Sequence, residues 1–427
     1  MNSDSPIQTA NPETGRNMIE SEVAILGAGP AGSTAALFLS RLGIHSVLID
    51  RAEFPRDKVC GDCLGGYVIS ILRQLGEEVF NRFIEFGKKT EGKGVHFFSP
   101  DLIRLSIPAT RLVDGRIREV SLSRRMDFDN FLLEEVRRHP ETEIRCGTDL
   151  VSFERKDGRL IFYDARGKET LKTRLAILAT GSQSKIANDL AGYRIKKKNL
   201  AGGIRCYYEG IENCGDEGYI EFHFLREILP GYLWIFPVDP SVCNVGLGQR
   251  SDVISRNKTD LKKMLVHLIS TYPHLRDRFS KARMIATPEG FPLALGSEKR
   301  VISGDNFLLA GDAGSLIEPF FGEGIGNAMY SGKFAAEQAA RCLEKNNYSS
   351  AFNRQYDRAV YRKLGNALSL STCLQQAAFH PWLVNRVFRT VRKKPALQRR
   401  LSAIINGDMA REPLKGLEFL VRSVAGF

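Results

Sequence analysis

Glycines at positions 27, 29 and 32 stand where a short apolar run, Val23-Ala24-Ile25-Leu26, gives way to an alanine- and leucine-rich stretch from Ser33 to Leu42. That placement constrains the chain more than any other feature. In a strand–turn–helix, the first glycine permits a tight turn and the second lets backbone approach a pyrophosphate. The third lets helix and strand pack closely. Pro30 and Ala31 complete the turn, and the helix start offers unpaired N–H groups and positive dipole to phosphate oxygens. Gly43 punctuates the helix, Ser46-Val47-Leu48-Ile49 reads as a second strand, and Asp50 then Arg51 follow it. An acid at that spacing accepts hydrogen bonds from ribose hydroxyls, which favours the adenine-ribose of FAD or NAD over that of NADP. Ordinary turn glycines would explain the spacing but not the agreement of strand, helix, second strand and acid.

A second glycine-rich string lies almost three hundred residues on. Phe307-Leu308-Leu309-Ala310 reads as a buried strand stopped by Gly311-Asp312-Ala313-Gly314. Pro319, Gly322, Glu323, Gly324, Ile325, Gly326, Asn327 and Ala328 follow, opening a helix of small residues that runs to Ala340. An Asp ending a buried strand can bind a polyol hydroxyl, and a helix start can face developing negative charge. A reduced flavin carries such charge at its pyrimidine edge. A simple Asp cap would account for Asp312 alone.

With both strings in place, the chain resembles the flavoprotein superfamily built around p-hydroxybenzoate hydroxylase. Within it the chain is similar to the geranylgeranyl reductase-like family, over most of residues 22–345. The resemblance implies FAD stretched from Gly27 to Gly324, with Asp312 on the ribityl chain. It implies contacts from Gly29, Pro30, Ala31, Gly32, Asp50, Arg51, Cys60, Gly61, Leu150, Gly311, Gly322 and Ile325. Arg125-Met126-Asp127-Phe128-Asp129 matches the family's Arg-x-x-Phe-Asp element and assigns Arg125 to the cofactor. Ala179-Thr180-Gly181-Ser182-Gln183-Ser184 resembles Ala-Asp-Gly-x-x-Ser, with Thr180 in place of the usual Asp. Phe54 to Asp62, with Cys60-Gly61, is similar to the segment that follows the family's second strand. Gly231-Tyr232-Leu233-Trp234-Ile235-Phe236-Pro237 and Gly246-Leu247-Gly248 resemble its Tyr-x-Trp-x-Phe-Pro and Gly-x-Gly elements. Flavin halogenases usually carry Gly-Glu-Ser and Trp-x-Trp-x-Ile-Pro instead, and this chain has neither in full.

The implied chemistry is reduction of carbon–carbon double bonds in a prenyl or other lipophilic polyene, by hydride from reduced flavin. Tyr232, Trp234 and Phe236 alternate along an expected strand and so share a face. With Gly246 and Gly248 they are the candidate substrate wall, although a strand beside a core would turn aromatics inward anyway. Cys60 and Tyr232 are the candidate catalytic residues near the reacting bond; a buried free cysteine is as often only a small hydrophobe. Cys60-Gly61-Asp62-Cys63 also reads as a CxxC that could exchange with the cofactor. A rival function is oxygen-dependent hydroxylation or halogenation of an aromatic substrate; another is a non-catalytic electron carrier. The electron donor would be NAD(P)H or a ferredoxin.

Composition limits the remaining classes. The chain has 427 residues, 43% hydrophobic and 26% charged, which excludes intrinsic disorder. Eight scattered cysteines are too sparse for a disulfide scaffold, and seven scattered histidines offer no zinc pattern, so no metal is expected. The fold expected is α/β: a Rossmann-like parallel-sheet FAD-binding domain (21–92, 121–200 and 296–345) with an inserted antiparallel β-sheet substrate domain (93–120 and 201–295). A flexible leader (1–20) would precede them and a helical C-terminus (346–427) would close the chain. No secretory leader is visible, and a cytoplasmic protein is expected. The net charge of +12 permits an anionic partner. No nucleic-acid recognition fold accompanies it. Ten basic residues against three acids lie between Pro381 and Phe427. There Leu383, Val384, Val387, Phe388 and Val391 form an apolar stripe, with Trp382 at its edge and Arg386, Arg389 and Lys393 opposite. Such a helix can lie on an anionic membrane as a peripheral contact, or it can pack its stripe on the body.

Overall fold

The structure is a computed structural model that describes residues 18–108, 112–113, 117–118, 120–214 and 218–399. Most of the expected leader (1–17) and the last part of the basic tail (400–427) lie outside the described residues. The chain opens with Ile19–Leu26 (β1), Pro30–Arg41 (α1) and Ser46–Ile49 (β2), so the first strand begins four residues before Val23. Next come Cys63–Leu64 (β3), Gly66–Gln74 (α2), Gly94–Phe98 (β4) and Arg104–Pro108 (β5). Arg125–Arg137 (α3), Thr142–Arg145 (β6), Leu150–Lys156 (β7), Arg159–Asp164 (β8) and Glu169–Leu178 (β9) follow. A second excursion holds Leu200–Glu209 (β10), Tyr219–His223 (β11), Tyr232–Pro237 (β12), Val242–Arg250 (β13) and Glu289–Ala294 (β14). Phe307–Leu309 (β15), Ile325–Lys345 (α4), Ser350–Ala377 (α5) and Pro381–Lys393 (α6) complete it.

The first sheet runs β6-β2-β1-β9-β8-β7, with β15 added alongside β9. Its parallel strands are β6, β2, β1, β9 and β15. β2, β15 and the last four residues of β1 and of β9 are buried on both faces, as the centre of a covered parallel sheet requires, whereas the edge strand β6 is largely exposed. The expectation of a parallel sheet needs correcting here, because β7, β8 and β9 form an antiparallel meander. Segments joined by short turns have no length for a crossover and must pair antiparallel. Helices α1 and α4 cross on this sheet so closely that a Cβ on Gly332 would sit 2.1 Å from Ala31 O.

The second sheet runs β10-β13-β12-β11-β4-β5, with β14 on the far side of β10. Hairpin neighbours are antiparallel, as expected. β11 and β4, however, pair in parallel from Tyr219↔Gly94 to His223↔Phe98. They come from different excursions of the chain, so no tight turn dictates their direction. One face of this sheet carries Leu233 and Ile235 against Leu265 and Leu268 of a covering helix; the other carries Tyr232, Trp234 and Phe236. The register that sets Tyr208 opposite Cys243 also brings Cys214 to Cys243, and these two form a disulfide. Sequence spacing singled out Cys60 and Cys63 instead, and both are free thiols.

The apolar stripe of α6 turns inward. Phe388 and Val391 are buried against the second sheet, with the Phe388 ring 6.1 Å from Phe224. Arg389 pairs with Asp101, and Trp382 stays 62% exposed.

Candidate active site

The β1–α1 turn is shaped by what its glycines lack. Gly27 adopts φ +103° and a Cβ there would lie 2.4 Å from Ala179 O; one on Gly32 would lie 1.8 Å from Gly27 O. Only glycine lets the turn close onto β9 while α1 packs over it. The helix has Gly29 as its N-cap and no side-chain cap, so its first N–H groups are left for another acceptor. Asp50 braces the same turn: Oδ2 accepts from Ala28 N at 2.7 Å and Oδ1 from Ala52 N at 2.8 Å. Its remaining lone pairs stay available to ribose hydroxyls. Arg51 beside it is exposed. Leu150 begins β7 just beyond Thr148, whose N–H donates to Asp50 O, so it belongs to this end of the groove.

The distal string arrives at the same place. A Cβ on Gly311 would touch both Ala328 and Ala31, which puts the two glycine-rich loops in contact across the start of α1. α4 begins after Gly324, again without a side-chain cap. Asp312 Oδ2 is 3.1 Å from Lys58 Nζ, a partner the sequence did not reveal. Two uncapped helix starts joined by a glycine-lined floor fit an extended dinucleotide. Gly27, Gly29, Pro30, Ala31 and Gly32 would hold its diphosphate, Asp50 its ribose, and Asp312, Gly322, Gly324 and Ile325 its flavin half.

A cavity of about 400 Å³ lies between the two sheets. Pro30, Asp312, Gly324 and Ile325 line one side of it, and Gly322, where a Cβ would stand 3.3 Å from the Tyr232 hydroxyl, lies at the join with the aromatic wall. Tyr232, Trp234 and Phe236 form that wall, their rings in succession 6.0 and 6.2 Å apart. Phe222 stacks edge-on to Tyr232 and Phe236, and Phe321 packs edge-on to Phe222. The third wall is a face of α5, where Lys363, Ala367, Leu370 and Leu374 recur at helical spacing. Gly246 and Gly248 sit elsewhere. A Cβ on Gly246 would enter the Trp234 ring at 2.3 Å, whereas Gly248 has ordinary room. Gly246 supports the Trp234 ring from beneath, and neither glycine is among the residues lining the cavity.

Cys60, Gly61 and Cys63 line the cavity alongside the aromatic wall. Gly61 lets the loop pass Phe236, whose ring would stand 3.0 Å from a Cβ there. The loop is tied to the second sheet by Asn244, a residue to which the sequence motifs assign no role. Its Nδ2 donates to Cys60 O and to Asp62 Oδ2, each at 2.7 Å, and its Oδ1 accepts from Trp234 Nε1 at 2.8 Å. Tyr207 donates to the same Asp62 oxygen at 2.7 Å. A polar residue at an inward position of an otherwise apolar strand was the available signal. Burial pushes the Asp62 carboxyl up to about 6 despite these bonds.

Arg125 is buried and forms a two-point pair with Asp129 at 2.7 and 2.6 Å, and Arg56 adds a second cation to Asp129 at 2.9 Å. Burial opposes both charges, and each holds the other ionised. Burial also pushes the Cys60 thiol up against the attraction of Arg125, so it is a neutral thiol at physiological pH. The Tyr232 hydroxyl donates to Phe321 O and burial raises its pKa. Among the described residues no group of His, Cys, Asp and Glu could hold a metal ion.

Comparison with known proteins adds the following. The FAD binding domain family model matches residues 20–205, and the geranylgeranyl reductase catalytic domain model matches 203–291. The menaquinone reductase of Mycobacterium tuberculosis H37Rv is 32% identical over 74% of this chain and 76% of its own. The digeranylgeranylglycerophospholipid reductase of Methanococcus vannielii is 30% identical over 83% and 87%. Among solved structures, a geranylgeranyl bacteriochlorophyll reductase-like protein of Thermoplasma acidophilum superposes with a TM-score of 0.76 at 21% identity, covering 95% of this chain and 100% of that one. The halogenase PltM with phloroglucinol and FAD gives 0.73 at 17% identity, covering 95% and 91%. At such identities the two structures speak for the fold alone.

Proposed function

Because the chain belongs to the geranylgeranyl reductase family of FAD-dependent oxidoreductases, we propose that it saturates carbon–carbon double bonds of a prenyl chain or similar lipophilic polyene. The observation that carries this reading is the cavity, closed on one side by the glycine-rich FAD cradle and on the other by Tyr232, Trp234, Phe236 and Phe222. When bound, FAD in its reduced form supplies hydride. The residues of the chain do the rest. The aromatic wall and the apolar face of α5 would hold an extended hydrocarbon and exclude water, so that an alkene is presented in one orientation. Cys60 and Tyr232 flank the reacting bond, Cys60 as a small neutral thiol and Tyr232 through its grip on Phe321 O. Lys58 and Arg125 supply positive charge around the cradle.

Reducing equivalents would come from NAD(P)H or a ferredoxin. No described helix is long and apolar enough to cross a membrane; contact with an anionic membrane would rest on Trp382 and the exposed cations Arg386, Arg389 and Arg392 of α6. The test is anaerobic. Protein reduced in the absence of oxygen and given a geranylgeranyl compound should yield product heavier by two hydrogens per reduced bond. Turnover that waits for oxygen and inserts it, or a halogen, into an aromatic compound would establish the rival instead.

A further inference from the structure

Glu318 and Glu323 face the cavity from one tight loop, in which Gly322 N donates to Glu318 O and Glu318 N to Glu323 O. The two carboxyls are built differently. Glu318 Oε2 accepts from Phe321 N at 2.5 Å, and the nearby Ser371 hydroxyl and the amides of Phe320 and Gly322 favour its charged form against burial. Glu323 makes no side-chain hydrogen bond or ion pair among the described residues, and it opens into the cavity. Its carboxyl lies in a slot made by two glycines: a Cβ on Gly65 would stand 2.9 Å from its Oε1, and one on Gly326 3.2 Å. Tyr232 grips the loop two residues earlier, at Phe321 O, which fixes the carboxyl relative to the aromatic wall.

We propose that Glu323 is the proton donor of the reduction, carrying the proton that the saturated carbon needs besides hydride. This rests on the prenyl-reductase reading above. The π bond breaks, one carbon takes hydride from a two-electron donor, reduced flavin, and the other takes the Glu323 proton. The donor is oxidised by two electrons, and the carboxylate left behind regains a proton from water at the cavity mouth.

The other acids of the cavity do not serve. Cys60, Cys63, Tyr67 and Tyr232 are all raised by burial from values already alkaline, so none gives up a proton readily near neutrality. Asp312 is paired with Lys58. Glu323 is exposed to the open cavity; the protein packed around its carboxyl first, and then the Glu318 charge, push it up to about 7, where a general acid is best placed. The groups facing it are Glu318 from its own loop, Cys63 from β3 and Tyr67 from α2. Lys363 of α5 lies 4.7 Å over the Tyr67 ring and 4.3 Å over that of Tyr330 on α4. An apolar chain entering the cavity would displace the water that reaches the carboxyl. That favours the neutral form further, so substrate binding would load the acid.

This coupling can be read without turnover. FAD-loaded protein is titrated at pH 7.5 with phytanol, a saturated analogue of a geranylgeranyl chain, by calorimetry in phosphate and in Tris. Because the buffers differ in ionisation enthalpy, the difference counts protons. Wild type should take up roughly half a proton per phytanol bound, and Glu323→Gln should take up none. Gly65→Ala, whose new methyl displaces only the end of a flexible side chain, should reduce the uptake in a folded protein. In the anaerobic assay, E323Q should lose ~10²–10⁴-fold in kcat/KM together with the alkaline limb of the wild-type pH profile. Equal uptake in wild type and E323Q, or an unchanged rate and pH profile, overturns the assignment while leaving the prenyl-reductase reading intact. Wild type that neither binds phytanol nor reduces the geranylgeranyl compound overturns both.

Discussion

Asp62 shows how a single residue outside the chemistry shapes the site. It is fully buried in a left-handed backbone conformation, φ 64°, with two donors on Oδ2 and none on Oδ1. Burial holds its pKa at about 6, above the ordinary carboxylate range. The folded state therefore binds this proton more tightly than the unfolded chain does, and stability is lost as pH rises from about 4 through about 6. The loss attributable to this group is on the order of 3 kcal/mol at neutral pH. Asp62→Asn, a neutral isostere, should match wild type in urea unfolding near pH 4 and be the more stable protein at pH 7.5. A variant less stable than wild type at both pH values would contradict the account.

At the scale of elements, glycine in the Gly-x-Gly of β13 divides into two roles. Gly246 faces Trp234 at a distance no side chain can share, and Ile204 O lies 2.2 Å from the same Cβ position. Gly246→Ala should cost ~1–3 kcal/mol by overpacking and move Trp234, visible as a change in tryptophan emission. Gly248→Ala should stay within about 0.5 kcal/mol of wild type with emission unaltered. Parallel effects of the two would mean that the wall does not rest on Gly246. Helix α6 carries a separate expectation. Its apolar stripe is already spent on Phe224 and its neighbours, so membrane contact must come from charge and Trp382. Flotation with anionic vesicles should then weaken as salt rises and fail after deletion of 381–427; salt-independent flotation would argue for an inserted apolar surface instead.

For the whole molecule, the two sheets meet around the cavity, and the cofactor cradle is assembled from turns contributed by both ends of the chain. A ligand that contacts Gly27, Asp50 and Gly324 together can bind only the folded state. Free FAD at a hundredfold above its Kd should therefore add about 2.7 kcal/mol to the unfolding free energy of cofactor-stripped protein. The measurement is a melting curve with and without FAD; superimposable curves would mean that the two loops do not bind one molecule.

Elements whose cause is local were legible in the order of the amino acids. The β1–α1–β2 unit, the Asp312 loop and the long small-residue helix follow from glycine placement and apolar periodicity. So does the shared face of Tyr232, Trp234 and Phe236. Tertiary structure decided what depends on residues far apart in the chain. The parallel join of β4 to β11, the Cys214–Cys243 disulfide and the Asn244 bridge needed strand register. The Lys58–Asp312 pair needed two distant loops to meet. Glu323 was visible among its glycines, but as a letter it could have been any solvated acid. Its slot between Gly65 and Gly326, its neighbour Glu318 and the cavity it faces exist only once the 257 residues between Gly65 and Glu323 have folded back. A charge takes its character from what surrounds it, and no local pattern specifies surroundings drawn from three separate stretches of chain.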